Sequence, residues 1–443
     1  MTTTQAAAQS SSDVDLTNCD REPIQFPGAI LPHGAMLVLD PANWDVIQAA
    51  GDGEGLFGIA IEDLLGRPLA QLFSEEQIAH LRGVVADCDL AKPRHLLDPL
   101  LRVMPERPLD ASMHMIDGLL VLEFEEADRT DSNARDPLSC VHEMLHGLDA
   151  FPDLHGFCQT AAERVKKVTG YDRVMIYRFM DDGSGWVFAE SREERLQPFL
   201  DLHYPASDIP KQARALYLRN PLRLITQVDY DPAPLKPADN PLTGRQLDMS
   251  QALLRDVSPI HREYLRNMGV DASMSISIVR EGKLWGLIAC HHYSPRRLPR
   301  HLRAVCELFG AMFSLQLEAR ERAELFESRL ASRKVLQQLM HNLAGDENYG
   351  NGLIRNTPNL LDYIHASGLA LRVSNPGGVA VRVNNGITAL GATPTNEQIA
   401  ELTDWLTQQV EETGDGIFLT DRLGEIYAPA QAYAEVGSGL LAV

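Results

Sequence analysis

Apolar positions recur along this chain with two periods, and the changes of period divide it into segments. Ala35-Met-Leu-Val-Leu-Asp40 and Val46-Ile-Gln-Ala49 predict strands, Glu62-Asp-Leu-Leu65 and Ser74-Glu-Glu-Gln-Ile78 short helices, and Gly118-Leu-Leu-Val-Leu-Glu-Phe124 a closing strand. They make a small α+β domain over 19–128, after a polar tail at 1–18 and ahead of a polar linker at 129–139. A second α+β domain over 140–318 is predicted from a helix pattern at Phe157 to Val168 and strands at Arg173 to Phe179, Trp186 to Ser191, Ser273 to Arg280 and Leu284 to His291. The last two strands meet at the turn Glu281-Gly-Lys283. Between Asp229 and Asp256 lies a Pro-rich insertion without periodicity, and a long loop of that kind inside a compact domain is usually functional.

From about 300 to 343 the apolar positions, among them Leu302, Val305, Phe309, Phe313, Leu317, Leu325, Leu336 and Leu343, keep helical spacing without a proline. A helix of that length bridges domains or pairs with another helix; two helices with a kink is the alternative. The third domain, 319–443, includes this helix and an acidic part at 344–443 with four Arg and no Lys against twelve Asp plus Glu. Within it, Thr395-Asn-Glu-Gln398 reads as a capping box ahead of an amphipathic helix over Ile399 to Val410.

Composition narrows the function. With 443 residues, 44% hydrophobic and 23% charged, the chain is that of a multidomain globular protein. A formal charge of −21 disfavours nucleic acid and anionic membrane surfaces as partners. The most basic run, Arg296-Arg297 to Arg303, reads as a solvated helix start. No apolar run reaches the length of a membrane span and the N-terminus has no signal-peptide pattern, so a cytoplasmic protein is expected. The six cysteines form no CxxC pair and read as free thiols. Cys19 stands apart from the other five, in the polar segment ahead of the first strand.

Two stretches carry candidate chemistry. In Tyr204-Pro-Ala-Ser-Asp208-Ile-Pro210 a carboxylate sits between two prolines that fix the backbone, and in Ser258-Pro-Ile-His261-Arg-Glu-Tyr264 a His and a Tyr three apart share one helix side. Three readings remain open. Cys290, His291 and His292 could ligate a metal, although neighbours on a strand point to opposite faces. Asp208 and His261 could be an acid/base pair, but no nucleophile elbow or phosphate loop accompanies them. A large-ligand pocket uses the most residues: Arg223, Arg255, Ser273 and Ser275 to hold carboxylates, with Tyr177, Phe199, Tyr204, Tyr264 and Met175 as walls.

The chain resembles the photosensory part of a bacteriophytochrome, a PAS domain, a bilin-binding GAF domain and a PHY domain. The likeness runs from about Leu16 to the last residue and is carried by Pro27-Gly-Ala-Ile30-Leu-Pro-His-Gly34, Pro205-Ala-Ser-Asp208-Ile-Pro210, Tyr264-Leu-Arg-Asn-Met-Gly-Val270 and Trp285-Gly-Leu-Ile-Ala-Cys-His-His292. The resemblance implies covalent biliverdin. The GAF position that bears cysteine in plant and cyanobacterial types is Ile260 here, which leaves Cys19 as the attachment site. It also implies a figure-of-eight knot, with Ile30 threaded through the 229–256 insertion.

By resemblance, the backbone carbonyl of Asp208 and the ring of His261 hold the pyrrole nitrogens. Arg223, Arg255 and Tyr217 bind one propionate, and Ser273, Ser275 and His261 the other. His291 reaches the D-ring carbonyl, Tyr177, Tyr204, Tyr264, Met175 and Phe199 surround that ring, and Ile209 and Ser258 complete the contacts. The implied function is red/far-red sensing by light-driven Z/E isomerisation, with no metal and no reaction turned over, and with a homodimer through the long helix. The family's tongue motif, Pro-Arg-x-Ser-Phe, and a kinase segment are not found in these residues, so a partial PHY domain, an unpaired Asp208 carboxylate and impaired photoconversion are expected. A light-insensitive GAF module for a cyclic nucleotide or similar small ligand is the alternative.

Overall fold

The computed structural model describes residues 22–91, 94–96, 103, 107–127, 136–148, 153–344, 349–366, 377–383, 386–413 and 417–442. Cys19 lies outside them, as do most of the linker and the N-terminal tail. The chain forms two compact units, 1–318 and 319–443.

The first domain contains β1 (Ala29–Ile30), β2 (Gly34–Leu39), β3 (Val46–Gly51), α1 (Gly53–Phe57), α2 (Glu75–Asp87), β4 (Arg94–Leu96), β5 (Leu109–Ile116) and β6 (Leu119–Glu126). Its antiparallel sheet runs β3-β2-β6-β5-β4, so the strand expected to close the domain lies at its centre. The period of two along β6 explains both faces. Leu120, Leu122 and Phe124 enter one core, where Phe124 packs edge-on to Phe57 at 5.3 Å and stacks on Phe73 at 5.6 Å. Leu119 and Val121 face a second apolar layer, shared with Leu235, Leu247, Met249, Ala252 and Leu254 of the insertion.

The second domain begins with α3 (Pro137–Leu145), whose N-cap Asp136 falls inside the segment read as linker, and α4 (Leu154–Thr169). There follow β7 (Arg173–Phe179), β8 (Gly185–Arg192), β9 (His203–Tyr204), α5 (Lys211–Arg219), β10 (Leu222–Ile225), β11 (Ala233–Pro234), α6 (Pro259–Asn267), β12 (Ala272–Arg280), β13 (Lys283–His292) and α7 (Arg300–Ala344). The six-stranded sheet has the order β10-β12-β13-β7-β8-β9. One face buries Val174, Ile176, Met274, Ile276, Ile288 and Cys290 against α4 and the first turns of α7, where Phe157 stacks on Phe313 at 4.8 Å. The other face is left for the cavity described below.

The insertion grips the N-terminal segment of the first domain, Gln25 to Leu31, on both edges. β1 pairs with β11, and Leu235 N–H donates to Gly28. On the opposite edge Leu31 N–H donates to Leu254, Asp256 N–H to Ala29 and Met249 N–H to Gln25. Ile30 between them is fully buried, the arrangement a threaded segment requires.

One expectation is overturned. The basic run at the start of α7 is not a solvated helix start: Arg300 is 3% and Arg303 7% exposed. Cations are unfavourable in the first turn of a helix, so local helix energetics does not explain them. Their reason is Glu125 of β6, which accepts Arg303 at 2.8 Å and has Arg300 at 3.7 Å and His33 at 3.2 Å. Burial would raise the Glu125 carboxyl pKa, but Arg303, the nearby His33 and Arg300 outweigh it and hold it well below the usual carboxylate range.

α7 is one helix of 45 residues without a break. The unit from 319 onward adds α8 (Tyr349–Ile354), α9 (Leu360–Ala366), β14 (Gly378–Val383), β15 (Gly386–Gly391), α10 (Asn396–Thr413), β16 (Phe418–Thr420), α11 (Leu423–Ile426), α12 (Ala434–Gly437) and β17 (Leu440–Ala442). The capping box forms as read: Thr395 N–H donates to Gln398 Oε1 at 2.9 Å and Gln398 N–H to Thr395 Oγ1 at 3.3 Å. Among the described residues no helix is long and apolar enough to cross a membrane.

Candidate chromophore pocket

The free face of the second sheet forms the floor of a cavity of about 440 Å³, a size suited to a small organic ligand. Strand register builds this floor. Ser273 lies opposite His291 and Ser275 opposite Ala289, which in turn lies opposite Met175, while Leu287 pairs with Tyr177. The alternation that turns these residues to the cavity turns Met274, Ile276 and Cys290 into the core. Cys290 and His291 therefore face opposite ways, and His292 Nδ1 lies 3.0 Å from Asp172, so the three do not gather round one ion. α6 supplies the roof: His261, Tyr264, Leu265 and Met268 follow helical spacing, and the His261 and Tyr264 rings lie nearly parallel with centres 6.4 Å apart.

Met175, Tyr177, Phe199, Tyr204, Asp208, Ile209, Tyr217, Arg223, Arg255, Ser258, His261, Tyr264, Ser273, Ser275 and His291 all line this one cavity. Of the nominated residues only Cys19 is not placed, yet Glu22 and Ile24 just after it are lining residues. Glu22 accepts the Ser258 hydroxyl at 2.6 Å, and burial raises its carboxyl pKa.

The two ends of the cavity differ chemically. At the basic end Arg223 donates to the carbonyls of Leu253 at 3.0 Å and Asp256 at 3.2 Å, and to that of Arg255. Arg255 donates to the Ile24 carbonyl at 2.7 Å, while its Nε has no hydrogen-bond partner. Burial, then the charge of Arg223, lowers the Arg255 pKa to about 9. Two like charges in a half-buried and a buried position are stabilised by an anion. At the aromatic end Tyr177 and Tyr204 lie 6.1 Å apart, and Tyr264 donates to the Asp208 carboxylate at 3.4 Å. Asp208 thus has a hydroxyl partner, while burial raises its pKa.

Both histidines are held neutral. Burial and the charge of Arg223 lower His261 to about 4; burial, Arg173 and His261 lower His291 to about 3. His291 Nδ1 is buried without a hydrogen-bond partner, an unmet group that a polar ligand atom would satisfy.

Sequence reading missed the residues that support the walls. Arg214 donates to the carbonyls of Ile209 at 2.7 Å, Gly183 at 2.6 Å and Ala206 at 3.2 Å, which fixes the loop carrying Asp208. Arg173 bonds Glu190, and the second oxygen of Glu190 accepts the amides of Phe199 at 3.0 Å and Leu200 at 3.2 Å. The available signal was a charged residue in each of two apolar strands, with no local mark that the two pair.

Comparison with known proteins agrees with this architecture. Residues 19–127 match the model of a PAS fold, 153–320 that of a GAF domain and 332–443 that of the phytochrome region. Cyanobacterial phytochrome B of Nostoc sp. is 39% identical over 436 residues, which cover 97% of this chain and 56% of that protein. A bacteriophytochrome of Xanthomonas campestris pv. campestris is 34% identical over 453 residues, covering 98% of this chain and 67% of the relative. The crystal structure of a bacteriophytochrome from R. palustris superimposes with a TM-score of 0.76 at 35% identity, covering 96% of this chain and 84% of that one. The Stigmatella aurantiaca phytochrome photosensory core module gives a TM-score of 0.76 at 37% identity, covering 97% and 83%. With its three domains in this order and its cavity beneath α6, the chain belongs to the phytochrome family and spans the PAS, GAF and PHY region of its photosensory core.

Proposed function

We propose that this chain is a red/far-red photoreceptor module that binds biliverdin covalently through Cys19. The observation that carries the reading is one cavity with the guanidiniums of buried Arg255 and half-buried Arg223 at one end, tyrosines at the other and an unsatisfied His291 nitrogen. When bound, a bilin supplies light absorption and Z/E isomerisation of the double bond between its C and D rings.

The residues of the chain do the rest. Arg255 holds one propionate with Tyr217 beside it, and Arg223 frames this clamp through the carbonyls of 253, 255 and 256. Ser273, Ser275 and His261 hold the other propionate, and the Asp208 carbonyl with the His261 ring contacts the pyrrole nitrogens. His291 donates to the D-ring carbonyl; Met175, Tyr177, Phe199, Tyr204 and Tyr264 wall that ring, with Ile209 and Ser258 at the sides. Fixed polar clamps at one end and apolar walls at the other restrain three rings more than the fourth. Glu22 supports the attachment site, since three residues span at most about 10 Å from a lining position to Cys19.

The reading also includes a homodimer through α7, supported by its exposed Leu308, Leu315, Phe326 and Met340. Light would bias a two-state equilibrium that α7 conveys, without turnover of a substrate. The test is to mix the apoprotein with biliverdin. A red band should appear and, after denaturation, a zinc-fluorescent adduct; Cys19→Ser should abolish the adduct and keep noncovalent colour. No colour with biliverdin would sink the reading.

A further inference from the structure

A strand that faces an apolar interface gains nothing from carboxylates unless they bind something, because burying an ion is costly unless it is paired or hydrogen-bonded. β6 carries two at alternate positions, Glu123 and Glu125, each 1% exposed on the side turned to the insertion. Glu125 is accounted for by Arg303, Arg300 and His33. Glu123 is different. His114 lies 4.0 Å from it and burial keeps that ring neutral; burial also raises the Glu123 pKa, against which the amides of Leu254 and Leu253, the charge of Arg300 and the Ser112 hydroxyl act.

Glu123 Oε1 accepts Leu254 N–H at 2.6 Å and Oε2 accepts Leu253 N–H at 3.0 Å, with the Ser112 hydroxyl at 3.2 Å on Oε2. These two amides immediately precede Arg255. Pairing with the threaded segment fixes only the edge of this stretch, through Leu31 N–H to Leu254 and Asp256 N–H to Ala29. It leaves the amides of 253 and 254 to Glu123, while Arg223 takes the carbonyls of 253, 255 and 256. One carboxyl group that bridges successive amides fixes both peptide planes, and buried amides deprived of such an acceptor are costly.

We infer that Glu123 of the PAS domain is a positioning residue for Arg255 of the neighbouring GAF domain, setting the direction in which the guanidinium enters the cavity. The inference rests on the reading of Arg255 as a propionate clamp. It makes the PAS domain a working part of the ligand site rather than a neighbour packed beside it.

The test measures noncovalent biliverdin affinity by titration of the red band in a Cys19→Ser background. Glu123→Gln keeps the shape but replaces one accepting oxygen with a donor, and should weaken binding about tenfold. Added to Arg255→Gln it should cost nothing further, since both act through one guanidinium. Glu125→Gln, on the same strand face and equally buried, should bind within about twofold of the parent. Affinity for Glu123→Gln within about twofold of the parent, or losses that multiply with Arg255→Gln, would overturn the inference.

Should Glu123→Gln fail to fold, Ser112→Ala loosens the same carboxylate and is expected to weaken binding about threefold with the same non-additivity. Failure of the bilin reading is distinguishable, because then the Cys19→Ser parent itself gives no red band. In that case amide hydrogen exchange on the apoprotein decides. Glu123→Gln should speed exchange at Leu253 and Leu254 at least about tenfold and leave β12 unchanged, and unchanged exchange at both amides would refute the role.

Discussion

The guanidinium of Arg173 lies 3.7 Å from the centre of the Phe199 ring and donates to Glu190 beneath it. The two charged side chains are 1% and 3% exposed, so the pair is desolvated on all sides. Glu190 also binds the amides of Phe199 and Leu200, so one carboxylate sets both the ring and the backbone of this wall. Glu190→Ala leaves a buried guanidinium without its counter-charge and should cost about 3–5 kcal/mol, read as a lower urea midpoint. A change below about 1 kcal/mol would mean that the pair is not buried as described.

Tyr177 takes its rotamer because position 185 has no side chain: a Cβ there would lie 1.8 Å from the Tyr177 hydroxyl oxygen. Gly185→Ala should push the ring toward the cavity and destabilise by about 1–3 kcal/mol, the usual range for overpacking. If the chain binds biliverdin as proposed, the same change should alter the photoconversion yield and leave the covalent adduct in place. An unchanged yield would show that Tyr177 tolerates displacement.

His291 couples stability to pH. Its folded-state pKa, about 3, lies below the ordinary 6.5, so the unfolded chain takes up the proton first. The contribution of its neutral form is complete above the ordinary value and is lost as pH falls through 6.5 toward 3. Against His291→Gln, the wild-type apoprotein should lose about 1.4 kcal/mol for each pH unit in this window. Urea unfolding of both proteins at several pH values gives the comparison, and parallel curves would contradict it.

Leu308 and Leu315 of α7 are seven residues apart and 46% and 70% exposed, the spacing of one helical seam. If this seam forms the dimer, Leu315→Glu should raise the dissociation constant at least about tenfold, since burial of each leucine is worth roughly 1.5–3 kcal/mol. Sedimentation across a concentration series measures it. A dimer of unaltered strength would place the interface elsewhere.

The elements that were legible carry local signals. β7 runs over Arg173–Phe179 as read, α7 is the long unbroken helix the apolar spacing predicted, and the Thr395 box caps α10. Among the elements not read were β5 and β10. β5 has a mixed sequence whose strand character comes from pairing with β4 and β6, and β10 is only four residues, held by β12. Arg223, Arg255, Ser273, Ser275 and the aromatic walls were nominated as a large-ligand pocket from residue type, but spacing alone left the metal and acid/base readings open beside it, and the individual roles came from the family resemblance.

By itself the sequence determined the alternation that turns Ser273, Ser275 and His291 one way and Met274 and Cys290 the other, because backbone geometry imposes that period on any strand. Only the tertiary structure decided which charges meet. Arg303 finds Glu125 across 178 residues of chain, and Glu123 finds the amides before Arg255. The reason is physical: a charge in the sequence looks the same whether water or protein will surround it. Its partner exists only once the sheet of the first domain and the insertion of the second have closed on each other and excluded the solvent.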